Sequence, residues 1–300
     1  MLKIAFDKSY KQPLAENHRF PMIKYELIPE QLVRKNICTE SSFFAPPEIS
    51  KKNAILTHGE AYYDHLLDLT LSKADKRQIG FPLTESLVKR ERTISQGSIQ
   101  NSQFALKHGI SMNIAGGTHH AFKDKPGAFC MLNDQAIAAN YLVENKLAKR
   151  VMIVDLDVHQ GNGTASIFQD NDRVYTMSFH GEKNYPFIKQ KSDFDFAFDD
   201  GTTDAAYLKA LKYELPKHIN IFEPDFIFYL AGVDILKNDK LGRLSISIQG
   251  CKERDHFVLD ICKRNNIPLQ VSMGGGYSIH LKEIIDAHSN TFELAQELFF

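Results

Sequence analysis

The stretch Val151–Thr164, VMIVDLDVHQGNGT, decides how this chain is read. Val151, Met152, Ile153, Val154 and Leu156 surround Asp155 with apolar side chains, the pattern of a strand buried on both faces of a parallel sheet. Polar chemistry is then confined to the carboxyl end of the strand, where Asp155, Asp157 and His159 alternate with Leu156 and Val158. Continued as strand, that alternation turns all three polar side chains the same way. Two carboxylates buried together repel, and one takes up a proton unless a cation compensates. A divalent ion removes the conflict. The competing reading is a loop cap, in which Asp155 accepts backbone N–H bonds while Asp157 and His159 are solvated. The following QGNGT favours the ion, because Gly161 and Gly163 allow a tight turn beside a site before Thr164 caps a short helix.

The whole chain supports a folded α/β protein around this stretch. It has 300 residues, 43% hydrophobic and 24% charged, with no shift in composition to mark a second domain, so residues 1–300 are read as one catalytic domain. The formal net charge is -1 with both signs mixed along the chain, which argues against direct nucleic-acid binding. Cys38, Cys130, Cys251 and Cys262 lack CxxC spacing and are read as reduced thiols, the state expected of a cytoplasmic protein. The N-terminus lacks the apolar core of a signal peptide, and no run approaches the ~20 apolar residues of a membrane span. Oligomeric state is left open.

Taken in order, Ile4–Phe6 reads as a first strand, followed by a loop carrying HRFP at His18–Pro21 and a helix near Lys24–Lys35. His18 is a candidate for the rim of a site, since loops carry function. Helices are expected over His58–Ser72 and Gly97–His108, with the basic segment LVKRERTIS between them read as a solvated face. Ser111–Ile114 is a buried strand, and Gly116 and Gly117 turn the chain to deliver His119 and His120 into the crevice where open α/β sheets place ligands. In PGAFCMLND, Phe129 is a candidate pocket wall, and Asn133 caps a helix over Gln135–Leu147.

These pieces, GGTHHA, FCMLND and DLDVHQGNGT, with AGVDIL and GGGY further on, together resemble the zinc-dependent histone deacetylase superfamily over nearly the whole chain, closest to its class IV branch and bacterial relatives. The resemblance implies a single open, mostly parallel sheet flanked by helices, the arginase/deacetylase fold, with the site at the carboxyl ends of the strands. It implies that Asp157, His159 and Asp234 hold one zinc ion. It further implies that Asp155, Asp157, His159, Ser178 and Phe179 hold a structural monovalent cation, K+ or Na+. His119 and His120 match the tandem catalytic histidines, and Tyr277 matches the tyrosine that binds the oxyanion. Gly275 and Gly276 are read as pocket residues beside it. The implied substrate is an acyl-lysine in a protein or peptide, with acetyl and longer fatty acyl groups both open.

The remaining residues agree on their own chemistry. Arg173–His180 reads as a further buried strand that brings Ser178 and the Phe179 carbonyl toward the metal loop. The acidic KSDFDFAFDDGTTD is read as an edge strand over Asp193–Phe198 and a helix start at Gly201–Asp204, with an acidic rim for a basic peptide as the second reading. A helix over Tyr207–Ile221 ends at Pro224, and strand Phe226–Leu230 carries Asp234 just past its tip. One His and two carboxylates give zinc three ligands and leave a position open, the mark of a catalytic ion. Strand Pro268–Met273 ends in Gly274, Gly275 and Gly276 before Tyr277, a mobile hinge for the phenol.

In the implied mechanism His120 is the general base, His119 its electrostatic partner and proton donor, and Tyr277 an oxyanion donor. Some deacetylase branches have a second Asp where this chain has Asn162, while Asp155 serves the other histidine. A neutral amide orients His120 without raising its pKa, so His120 is expected to be mostly neutral at pH 7. Three alternatives remain. An arginase-like two-metal hydrolase needs acids where Gln160 and Asn162 stand. An acetylpolyamine amidohydrolase shares the chemistry with a small substrate. A silent acyl-lysine binding module would have lost a site residue, yet His119, His120, Asp157, His159, Asp234 and Tyr277 are all present.

Overall fold

A computed structural model describes residues 1–300. In chain order the strands are β1 (Ile4–Ala5), β2 (Phe43–Phe44), β3 (Ile110–Asn113), β4 (Val151–Asp155), β5 (Val174–Gly181), β6 (Phe194–Phe198), β7 (Phe226–Leu230) and β8 (Leu269–Ser272). The helices are α1 (Lys24–Arg34), α2 (Lys51–Ala54), α3 (Glu60–Leu67), α4 (Lys73–Ile79), α5 (Glu85–His108), α6 (Asp134–Glu144), α7 (Asn162–Phe168), α8 (Asp204–Phe222), α9 (Ile248–Arg264) and α10 (Leu281–Phe299).

All strands run parallel in one eight-stranded sheet, ordered β2-β1-β3-β8-β7-β4-β5-β6. A parallel sheet needs crossover helices, which cover both faces. The central strands are accordingly apolar throughout: every residue of VMIVD in β4 and FIFYL in β7 is buried. One helical layer pairs α5 with α6, and the other runs α1, α10, α9 and α8. The edge strand expected over Asp193–Phe198 is β6, and its alternating half-buried and exposed residues fit that place.

Two helical expectations need correction. His58–Ser72 is not one helix: α3 stops at Leu67, and Ser72 starts α4 by accepting the Asp75 N–H at 3.1 Å. His58 lies outside both helices, buried, donating from Nδ1 to the Phe122 carbonyl at 2.9 Å and accepting the Asn133 N–H at 2.9 Å. Nor is LVKRERTIS a solvated segment. It belongs to α5, which runs unbroken for 24 residues and buries Arg90, Glu91, Thr93, Ile94 and Ser95. Arg90 and Glu91 pair with each other inside the protein, and Arg90 Nε also donates to the Tyr10 carbonyl at 2.7 Å. Gly97 and small polar residues let α5 lie close on the sheet: a Cβ at Gly97 would stand 3.0 Å from the Asn113 side chain.

Candidate active site

β3, β8, β7 and β4 stand side by side, and the loops leaving their carboxyl ends meet over the sheet. β4 ends at Asp155, so strand alternation does not orient Asp157 and His159 as expected. Loop hydrogen bonds do. Asp157 N–H donates to Asp155 Oδ1 at 3.1 Å, and His159 N–H donates to Asp157 Oδ1 at 3.0 Å. From the loop after the neighbouring strand β7, Asp234 Oδ1 accepts the Val158 N–H at 3.0 Å.

The result is a buried triad. His159 Nδ1 lies 3.0 Å from Asp157 Oδ1 and 3.1 Å from Asp234 Oδ2, and the donor atoms all fall within 4.8 Å of one another. A tetrahedral ion with arms of about 2.0 Å has ligand-to-ligand edges of about 3.3 Å, so the donor set fits zinc in both chemistry and spacing. Burial pulls the His159 pKa down, but hydrogen bonds to Asp157 and Asp234 outweigh it and hold it at about 10. Burial and the Asp157 charge raise Asp234 to about 7. Without a cation, this cluster keeps a proton on the imidazole between two acids.

The histidine pair sits against the triad, with ring centroids of His119 and His120 4.1 Å apart. Buried Asp134 anchors the preceding residue, accepting both the Thr118 N–H at 2.9 Å and its hydroxyl at 2.8 Å. Each histidine then has its own partner behind it: His119 Nδ1 is 2.7 Å from Asp155 Oδ2, and His120 Nδ1 is 2.7 Å from Asn162 Oδ1. Burial lowers both, but Asp155 and Asp157 reverse the effect for His119, whose pKa is raised. For His120, burial is reinforced by His119 and His159, and its pKa falls well below the ordinary value. Because Asn162 Oδ1 accepts, His120 carries its proton on Nδ1 and presents a lone pair on Nε2.

Thr164 does not cap α7 as expected. It lies inside that helix, its N–H donating to the His119 carbonyl at 3.1 Å and its hydroxyl accepting from Asn133 Nδ2 at 2.9 Å. Gly275 is required for a different reason: its N–H donates to Asp157 Oδ2 at 2.8 Å, and a Cβ there would stand 2.0 Å from Asp234 Oδ2. Of the two glycines read as pocket residues, Gly275 lines the cavity and Gly276 does not. A Cβ at Gly276 would meet Val233, His288 and Ile284 in the interior. Tyr277 is held by its N–H donating to Asp239 Oδ2 at 2.6 Å, and burial with the charges of Asp234 and Asp157 keeps the phenol protonated.

A cavity of about 590 Å³ opens over these groups. Phe129 forms part of its wall, packed against Phe20, Phe81 and Tyr277. The facing wall was not read from the sequence: Tyr185 sets its ring edge-on to His120 at 4.8 Å between centroids. His18 is not a rim residue; it donates from Nε2 to the Gly80 carbonyl at 2.9 Å, accepts the Phe20 N–H at 3.1 Å, and folds the loop instead. Two buried cations also escaped notice. Lys24 donates to the Gly274 carbonyl at 3.1 Å, with its pKa lowered to about 8 by burial. Arg254 donates to the carbonyls of Leu156 at 3.2 Å and Gly232 at 2.6 Å, clamping the two ligand loops from beneath. For the monovalent-cation residues, the β4–β5 register places Ser178 opposite Asp155, and the ring of Phe179 lies in the core, leaving its carbonyl as the polar group.

Three acids of residues 191–204 are tied up within the fold rather than at a rim, and Asp200, which does reach the mouth, is paired with Arg243 there. Asp193 accepts from the N–H and hydroxyl of Thr176, Asp195 accepts from Gln160 and Ser192, and Asp204 accepts from Ser247.

Eight parallel strands with helices on both faces and the site on the carboxyl edge of the sheet define an arginase/deacetylase-fold protein. The chain belongs to the histone deacetylase family, whose domain model, described as "Histone deacetylase domain", matches residues 18–292. Among related proteins, an uncharacterized protein of Picosynechococcus sp. is 37% identical over 99% of both chains. Histone deacetylase 2 of Arabidopsis thaliana is 31% identical over 87% of this chain and 70% of its own length. An HDAC homolog crystallised with SAHA superposes with a TM-score of 0.84 at 23% identity, covering 98% of this chain and 84% of that one. An HDAC homolog from Aquifex aeolicus gives 0.83 at 23% identity over the same shares. No helix is long and apolar enough to cross a membrane.

Proposed function

We propose that the protein is a zinc-dependent deacylase that hydrolyses the side-chain amide of acylated lysine in a protein or peptide. The observation that carries this is the meeting of Asp157, His159 and Asp234 beside two histidines with opposite electrostatic surroundings. Asp157, His159 and Asp234 would hold the zinc, which supplies Lewis acidity to the carbonyl and to the attacking water. Asp155, Asp157, His159, Ser178 and Phe179 would hold K+ or Na+. His120 Nε2 takes the proton of the water as it attacks. His119, whose pKa is raised by Asp155 and Asp157, faces the developing charge and supplies the proton for the leaving amine. The Tyr277 hydroxyl donates to the oxyanion. Groups whose environments push their pKa values apart divide the base and acid roles in this way.

Acyl-lysine rather than a bare amide is supported by the walls: Phe129 and Tyr185 flank an approach suited to a four-carbon stem. The cavity also reaches buried Ile94 and Arg90 on α5, which leaves room for an acyl group on its far side. Four buried free cysteines favour work in the cytoplasm. The test is a turnover panel of lysine peptides bearing acetyl through myristoyl groups, with acetylpolyamines as competitors, run with and without a chelator. Hydrolysis should need the metal and fall roughly 10²–10³-fold in Tyr277→Phe. A fully metal-loaded protein that releases no acid from any of these amides refutes the proposal.

A further inference from the structure

The mouth of the cavity has a charge character that the chain as a whole does not. The net charge is -1, yet the ionisable residues lining the outer cavity are Arg19, Lys183, Lys240 and Arg243, while the acid that lines it, Asp157, lies buried at the floor. These four cations come from three separate loops, preceding α1, following β5 and following β7. Asp200 pairs with Arg243 at 2.7 Å and reaches Lys183 at 3.9 Å, whereas Arg19 and Lys240 make no ion pair. Arg19 instead lies over the ring of Phe129, its guanidinium carbon 5.0 Å from the centroid. One acid among four cations leaves a positive ring around the opening. A cleft lined by one sign of charge focuses its field on whatever enters.

Beside this ring, the loop after β5 holds Phe187 and Ile188 out into solvent, 87% and 82% exposed, and Phe187 lines the mouth. A large apolar side chain so exposed at the edge of a cleft marks a contact surface.

We infer that this mouth selects acylated lysines carried on acidic polypeptide segments, with Asp or Glu flanking the lysine and an apolar residue to cover Phe187, and that it disfavours lysine- and arginine-rich tails. The inference rests on the deacylase reading and names its substrate class. A polypeptide fits better than a flat anionic surface because the cations encircle an opening that a single side chain must enter, which brings the flanking residues onto the ring. Like charges brought together at such a rim oppose binding, while opposite charges speed encounter.

The experiment uses the metal-loaded protein and three acetyl-lysine peptides, flanked by Glu, by Ser or by Lys. The expected result is a kcat/KM for the Glu peptide on the order of tenfold above that for the Lys peptide at low salt. The difference should shrink toward unity near 1 M salt, where the screening length is about 3 Å. In the double variant Arg19→Glu, Lys240→Glu the ratio should fall below one. Because each ratio compares two peptides on one protein sample, loss of folded protein cancels. Binding of the same peptides, fluorescently labelled, to Tyr277→Phe reads the surface without turnover. If no peptide is hydrolysed but the Glu peptide still binds best, the deacylase reading fails and the surface stands. Equal ratios, or an oligonucleotide or anionic vesicle competing as well as the Glu peptide, overturn the inference.

Discussion

Replacing Asn162 by Asp puts a carboxylate where a neutral amide now accepts from His120 Nδ1 at 2.7 Å. The molecule already contains the comparison. His119 has a carboxylate, Asp155, at the same 2.7 Å, and its pKa is raised although it is as buried as His120, whose pKa is depressed. Opposite charges about 4 Å apart interact by about 4 kcal/mol at an effective dielectric of about 20, or roughly three pKa units at 1.36 kcal/mol each. The new acid is itself buried and resists ionising, so a rise of about one to three units is expected. The sign follows from the role proposed for His120. It must be unprotonated to accept a proton, so raising its pKa moves the acidic limb of kcat/KM upward. Activity then falls about tenfold per pH unit below that limb, while the alkaline plateau stays within a few-fold of the parent. The assay is a pH profile of kcat/KM for one acetyl-lysine peptide with saturating zinc. An acidic limb that stays in place, or moves down, refutes the assignment of His120 as base.

Zinc binding should release a proton, because His159 is protonated up to about pH 10 in the metal-free protein. Affinity should therefore rise about tenfold per pH unit toward pH 8 and more steeply below pH 7, where Asp234, raised to about 7, also gives up a proton, with proton release measured by calorimetry in buffers of different ionisation enthalpy. Gly275→Ala should abolish zinc binding and leave a folded protein, since its added carbon falls 2.0 Å from Asp234 Oδ2. Retained stoichiometric zinc in that variant would contradict the geometry. Arg254→Met should destabilise by about 3–5 kcal/mol in denaturant unfolding, because it leaves Asp255 charged and buried without its partner. A loss under 1 kcal/mol would show that the clamp is not needed.

The parts legible in the sequence were those whose cause is local. VMIVD and FIFYL are apolar enough to announce doubly buried strands, and the acids and imidazoles cluster within a few residues of strand ends. The parts that were not legible depend on partners far away in the chain. Arg90 and Glu91 read as a solvated charge run because their burial rests on each other and on Tyr10, 80 residues distant. Tyr185 gives no local sign that it will face His120, and Gly276 looked identical to Gly275 until the hinge showed one facing the triad and the other the interior. His18 lies in a loop, as a rim residue would, but Gly80 and Phe20 occupy both of its nitrogens.

The place of β8 governs how the molecule holds together. Residues 269–272 sit between β3 and β7, so the backbone ladder that joins the β2-β1-β3 ribbon to the β7-β4-β5-β6 ribbon runs through this strand alone. The strand thus seams two ribbons, one leading to the paired imidazoles and the other to the acids that would grip an ion. The same strand leads straight into Gly275 and Tyr277, so the sheet's central seam and the floor and wall of the cavity are set by one stretch of chain.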